Sequence, residues 1–323
     1  MHKSIFIGLL ALSPFLFSFG PCQSMAQEQE EPQRMLYSCI TVPKSVEFCG
    51  IPIDLTRFDR HERMDRELMA FTYMHSTSLQ IIKRANRYFP VVEPILKENG
   101  IPDDFKYLMA IESNVNPLAR SGAGAAGLWQ FMQGTAREFG LEVNHHVDER
   151  YHVEKSTQAA CRFLKQAYAR FGNWETVAAS YNAGQGRIAR EQDKQFTENA
   201  LDLHLVEETA RYVYRILAVK IMLANPSQFG FHLRASDLYP PVPYRNIKVT
   251  STINDLARFA QSHGITYALL RNMNPWLRST SLPDHSGKEY LIRIPDPKGM
   301  HYNPLLIIPH DRKWVTALSF KLR

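Results

Sequence analysis

The sequence predicts a mainly α protein, and three observations carry that expectation. Two long stretches repeat apolar residues at helical spacing: Ser156 to Arg170, through Ala159, Ala160, Phe163, Leu164 and Ala167, and Glu208 to Ala224, through Tyr212, Ile216, Val219 and Leu223. A shorter stretch after Pro102 places Phe105, Leu108, Met109 and Glu112 at i, i+3, i+4 and i+7, so all four share one helix face. A proline-rich run, YPPVPY (Tyr239 to Tyr244), divides this helical part from a smaller C-terminal part. The 323 residues suffice for one sizeable core plus such a module.

The chain opens with Lys3, an apolar run from Ile5 to Phe19 and the small residues Ser24-Met25-Ala26, which reads as a cleaved export signal over residues 1–26. Cys22 makes lipidation the minority reading, because Pro21 replaces the small residue such sites want. Residues 27–59 form an irregular lead-in, with Cys39 and Cys49 expected to pair in an oxidising compartment. From Arg60 to Arg87, Leu68, Phe71, Met74, Ile81 and Ile82 make a helical stripe, which Pro90 and Pro94 interrupt. Gly100 precedes the helix that carries Glu112, opened by Pro102 with Asp103 and Asp104 at its positive end and stopped by Pro117. Thr135 to Gly140 reads as a short helix, Ser156 as the cap of the next, and Trp174 to Tyr181 as another, ended by Asn182 and Gly184. Leu305 to Ile308 is a candidate extra strand.

Composition excludes some functions. The formal charge of +6, about +5 without residues 1–26, suits an anionic polymer, but no basic block with interleaved aromatics marks nucleic-acid binding. No cysteine spacing suggests zinc, and adjacent His145 and His146 cannot share a helix face, so no metal site is expected. Gly122, Gly124 and Gly127 spell G-x-G-x-x-G, but the polar, proline-containing NVNPLARS stands where a strand is needed. The glycines are instead expected to let the backbone pass close beside a ligand. Asp148-Glu149 reads as a salt-bridged loop with Arg150.

Glu112 is the candidate for chemistry. A carboxyl at the end of an apolar stripe is partly desolvated, which favours its protonated form. Such an acid can donate a proton to a leaving-group oxygen.

The stretch DDFKYLMAIESNVNPLARSGAGAAG (Asp103 to Gly127), GLWQFM (Gly127 to Met132) and SYNAG (Ser180 to Gly184), in that order, resembles the catalytic domain of lytic transglycosylases, which shares the fold of goose-type lysozyme. The resemblance runs from about Tyr88 to Tyr212. It implies a lysozyme-like helical domain over 60–235 that cuts peptidoglycan glycan strands with one catalytic residue, Glu112, and neither metal nor cofactor. It further implies that Ser113 hydrogen-bonds near the acid, that Ser121 contacts sugar, that Gln130 and Met132 line the cleft, that Tyr181 and Asn182 face the substrate near carbon 1, and that Tyr212, of the ETxxY pattern beginning at Glu208, belongs to the site. Trp129 stands where many relatives have Met; core is its expected place.

After the linker at 236–243, residues 244–296 resemble a LysM module, a small α+β unit of βααβ order that binds N-acetylglucosamine polymers. The resemblance rests on Ile247-Lys248-Val249, Asn254-Asp255-Leu256, His263-Gly264-Ile265-Thr266, Met273-Asn274-Pro275 and Leu291 to Pro295. Thr250-Ser251 departs from the usual Gly-Asp turn, which puts sugar binding in question. Residues 297–323 form a tail. Together these imply an enzyme of the periplasm or cell envelope, with peripheral or no membrane association once the signal is removed. The alternatives are a hydrolytic muramidase on the same fold and a non-catalytic wall-binding protein.

Overall fold

A tight antiparallel hairpin comes first. β1 (Ser45–Phe48) pairs with β2 (Ile51–Asp54) across Cys49-Gly50, whose φ angles of 53° and 84° make a left-handed two-residue turn. The structure is a computed structural model and describes residues 39–284 and 287–316. The expected export signal, with Cys22, lies outside the described residues. The lead-in is ordered where an irregular segment was expected: Phe48 is fully buried against Phe105, ring centroids 5.9 Å apart. The expected Cys39–Cys49 disulfide is absent. Cys39 is an exposed thiol, whereas the turn holds Cys49 over the helices, its amide donating to Asp104 Oδ2 at 2.6 Å.

Among the described residues eight α-helices follow. α1 (Phe58–Tyr73) and α2 (His75–Glu98) are separated only at Met74. Pro90 and Pro94 do not interrupt α2: they sit inside it, four residues apart and exposed. Of the two carbonyls that lose a helical partner, that of Pro90 lies at an exposed residue, whereas that of Asn86 belongs to a buried one. α3 (Phe105–Ser113) has Asp104 at its N-cap, but that carboxylate serves Lys220 Nζ at 2.9 Å and the Cys49 amide. The helix ends earlier than Pro117, because Asn114 and Val115 both turn left-handed, at φ 52° and 54°. α4 (Gln133–Glu138), α5 (Val153–Phe171) and α6 (Trp174–Ala183) come next. Ser156 is not a cap; it lies buried inside α5, one turn beyond the actual N-cap at His152. α7 (Gln185–Gln195) was not anticipated, since Ile188 is its one buried residue and no apolar stripe marks it. α8 (Glu207–Ala224) is buried along most of its circumference and packs against α1, α3 and α6, while α2 packs on α5.

The C-terminal module has the expected βααβ order: β3 (Tyr244–Val249), α9 (Leu256–Ser262), α10 (Tyr267–Met273) and β4 (Tyr290–Pro295). β3 and β4 are antiparallel, with Tyr244 opposite Pro295 and Val249 opposite Tyr290. Asp255 and Thr266 cap the two helices through their side chains. Asn274, fully buried, donates to the Leu270 and Arg293 carbonyls and accepts from the Arg293 amide, so the strand and the helix end are locked by one satisfied side chain.

The module shares a core with the helices: Ala126, Val147 and Tyr151 are continuous with Leu256, Leu270, Trp276 and Ile292. Backbone bonds cross the seam, from the Asp148 amide to the Trp276 carbonyl (2.8 Å) and from the Arg278 amide to the His146 carbonyl (2.7 Å). The proline-rich linker is likewise held, its Tyr239 and Pro240 carbonyls accepting from Asn86 and Arg87 of α2. Beyond β4 the chain returns to the helices. Leu305 to Ile308 is not a strand; a 3-10 turn at Pro304–Leu306 leaves Leu305 and Ile308 exposed and buries Ile307. Trp314 then packs on Phe89, centroids 6.0 Å apart, and donates to the Leu223 carbonyl at 2.8 Å.

Candidate active site

Three elements deliver the site. α3 carries Glu112 near its C-terminal end, α6 carries Tyr181 and Asn182, and α8 carries Tyr212. The left-handed pair Asn114-Val115 ends α3 just past Glu112, and Arg84 of α2 holds the released Asn114 carbonyl at 3.2 Å. Glu112 is half-buried, and its Oε1 accepts a hydrogen bond from the hydroxyl of Tyr212.

Burial is the largest influence on Glu112 and pushes its pKa above the usual carboxylate value; Glu208 nearby adds to the rise, while the Tyr212 hydrogen bond and the Arg215 charge oppose it. Burial also raises both Tyr181 and Tyr212, each further disfavoured as an anion by Glu112, so both phenols stay protonated donors. Tyr181 donates to the Trp129 carbonyl at 2.7 Å and packs against Phe163 and Phe131. Asn182 is oriented by Thr209 of α8, whose hydroxyl donates to its Oδ1 at 2.8 Å; that leaves its amide hydrogens for another acceptor.

The loop from Asn116 to Met132 meets these elements where the Trp129 carbonyl accepts from Tyr181. Ser121 Oγ accepts from the Ala125 amide (3.0 Å), closing a turn at an exposed position. Gln130, left-handed at φ 48°, folds its side chain back to the Gly127 and Ala119 carbonyls at 2.7 and 3.1 Å. Met132 is 46% exposed at the N-cap of α4. Trp129 is core: it is fully buried and donates to Thr157 Oγ1 at 2.9 Å. One expected member turns away. Ser113 is buried and donates to the Met109 carbonyl within its own helix, because one residue of helical rotation carries it about 100° from Glu112.

The loop is pinned by a buried ion pair. Arg150 engages Asp148 with two nitrogens, at 2.9 and 2.7 Å, and donates through Nη1 to the Gly124 and Phe131 carbonyls. Gly127 passes so close to this segment that an added Cβ would stand 1.8 Å from the Arg150 carbonyl oxygen. Its glycine is therefore demanded by backbone against backbone, not by a ligand as expected. Arg215 was not anticipated, and Thr209 was named only as part of the ETxxY pattern, without its role in orienting Asn182. Glu208, Tyr212 and Arg215 lie at i, i+4 and i+7 on α8, and that spacing was the available signal for Arg215.

Residues 91–203 match the family described as Transglycosylase SLT domain, and residues 245–298 match the Soluble lytic transglycosylase C-terminal LysM-like domain. Membrane-bound lytic murein transglycosylase D of Escherichia coli (strain K12) is 28% identical over 236 residues, covering 72% of this chain and 50% of that protein. The chain thus spans about half the length of that relative. Soluble lytic murein transglycosylase of Salmonella typhimurium is 37% identical over 90 residues, or 25% of this chain and 14% of its own length. Among solved structures, the lytic transglycosylase Slt of Pseudomonas aeruginosa aligns with TM-score 0.37 and 26% identity over 42% of this chain and 24% of its own.

Proposed function

From a chain that carries a transglycosylase SLT domain and, after it, a LysM-like domain, we propose a peptidoglycan lytic transglycosylase that cleaves the β-1,4 bond between N-acetylmuramic acid and N-acetylglucosamine. The observation that carries this reading is the burial of Glu112 beside the Tyr212 hydroxyl, which raises the carboxyl pKa and so favours the protonated form that a general acid needs. Glu112 gives its proton to the glycosidic oxygen as the bond to carbon 1 breaks. The acetamido group of the substrate stabilises carbon 1, and Tyr181 and Asn182 face it. The Glu112 carboxylate then takes the proton of the carbon-6 hydroxyl as that oxygen bonds to carbon 1. The proton balance closes, no water is consumed, and the product ends in a 1,6-anhydro ring. One group serves as acid and then base, and a raised pKa suits both steps.

In this reading Ser121, Gln130 and Met132 shape the sugar-binding loop, residues 60–235 hold the chemistry and residues 244–296 add retention on the wall. Export to the cell envelope by residues 1–26 belongs to the same proposal. The relatives' names, which are those of murein transglycosylases, support it. Among the described residues no helix is long and apolar enough to cross a membrane.

Mass spectrometry of digested sacculi tests the reaction. Anhydro-ended fragments are expected. Reducing ends would establish the muramidase alternative, to which the nearby Glu208 lends support as a second carboxylate, and unaltered sacculi would leave a wall-binding protein.

A further inference from the structure

A cavity of about 410 Å³ lies where α2, the loop after α3, the linker and the C-terminal module meet, and Glu112 is not part of its wall. Its size is that of a small-ligand site. Its lining has an unusual charge balance: Arg84 and Arg87 stand on one wall and Arg293 on the other, with no aspartate or glutamate among the lining residues. Among the described residues, Arg84 and Arg87 hydrogen-bond only to backbone carbonyls, those of Asn114 and Pro240, each through one nitrogen, and Arg87 also lies over the Tyr239 ring at 5.6 Å. Arg293 is joined to Glu154 through Nη2 and lies over the Tyr244 ring at 4.5 Å. Arg84 and Arg87 therefore keep charges that no carboxylate neutralises, while Arg293, paired with Glu154, offers its remaining N–H donors. Tyr239, Tyr244 and Trp276 supply flat apolar wall between the two charged sides.

We propose that this seam cavity is a second binding site, for a short peptide carrying two carboxylates. Paired guanidinium forks match carboxylates in geometry as well as charge. A ligand with one carboxylate on the Arg84–Arg87 wall and another toward Arg293 would span the cavity, its backbone against the aromatic rings. Within the function proposed above, the stem peptide of peptidoglycan has this chemistry, with the free α-carboxylate of its γ-linked glutamyl residue and a free C-terminus. That identification rests on the transglycosylase reading; the dicarboxylate cavity does not.

The test is calorimetric titration of the full chain with synthetic alanyl-γ-glutamyl-lysyl-alanine. Saturable one-to-one binding is expected. Affinity should fall about tenfold or more for the C-terminal amide of the peptide and for the R84Q/R87Q variant, and should be partly kept by R84K/R87K, which holds the charge without the fork. Glu112→Gln, which disables the proposed chemistry, should bind the peptide unchanged. No binding to the folded full chain, equal binding of the amide, or displacement by peptide-free N-acetylglucosamine tetramer would overturn the site. Loss of anhydro products with peptide binding intact would instead strike only the reaction proposed for Glu112.

Discussion

The hydroxyl of Tyr212 donates to Oε1 of Glu112 and so ties the central helix α8 to the end of α3. This bond favours the carboxylate, burial favours the acid, and burial prevails. Glu112→Gln should fold and lose ~10²- to 10⁴-fold in lytic rate on purified sacculi, the range typical of a general acid. Activity within a few-fold of the parent would remove Glu112 from the mechanism.

Tyr212→Phe should act differently. It removes a donor that stabilises the charged form, so the Glu112 pKa should rise further. The limb of the kcat/KM profile where activity declines with increasing pH should move to higher pH, with a lower plateau. A shift to lower pH would mean that Tyr212 does not stabilise the carboxylate.

Burial of Glu112 also links stability to pH. Its folded pKa is raised above the unfolded value, so the folded state binds the proton more tightly. The resulting stability is fully present below the unfolded pKa and is lost as pH rises through the folded one. Glu112→Gln has no charge to bury, so it should melt higher than the parent at pH 7 and close to it below about pH 4. Each ~1 kcal/mol should appear as ~2–4 °C in Tm. A constant difference across the pH series would refute the linkage.

Trp314→Ala should cost ~3–5 kcal/mol in urea unfolding, as expected for a large buried aromatic, because it opens the face of Phe89 and frees the Leu223 carbonyl. Deleting 244–323 should be worse, since it also exposes Val147 and Tyr151. A truncated form as stable as the full chain would show that the helices do not need the segments packed on them.

Gly127→Ala should destabilise by at least ~2 kcal/mol, since φ of 78° and a contact of 1.8 Å with a backbone oxygen leave no room for Cβ. Gly122→Ala, where an added Cβ meets nothing within 4 Å, is the matched control and should be near neutral. Equal effects would mean that the loop adjusts freely.

Much of this was legible in the sequence because it rests on local periodicity. The apolar stripes of α5 and α8 and the face shared by Phe105, Leu108, Met109 and Glu112 follow from spacing alone. The end of α3 did not, because Asn114 and Val115 turn left-handed three and two residues before Pro117. Pro90 and Pro94 misled, because whether a proline breaks a helix depends on which face it occupies, and that face is set by α5. α7 carried no stripe to find. The seam was invisible because its bonds join Asp148 to Trp276 and His146 to Arg278, pairs with no sequence relation. The resemblance implied a hydrogen bond from Ser113 near Glu112, but adjacent helical residues point apart, and Ser113 bonds within its own helix.

The return of the chain to α2 has a kinetic consequence. His310 donates its amide to the Asn86 side chain across 224 positions, and Trp314 closes over Phe89 in the same place. A chain emerging in order from the ribosome can wind α2, α3 and α8 and bring Glu112 to Tyr212 long before that wall exists. Until then Phe89 lies open, and closing so long a loop carries an entropic cost that precedes its reward. The nascent helices should therefore pass through a stage with the reacting groups assembled and an apolar flank uncovered. At that stage a chaperone, or a second nascent chain, competes with Trp314 for the same surface.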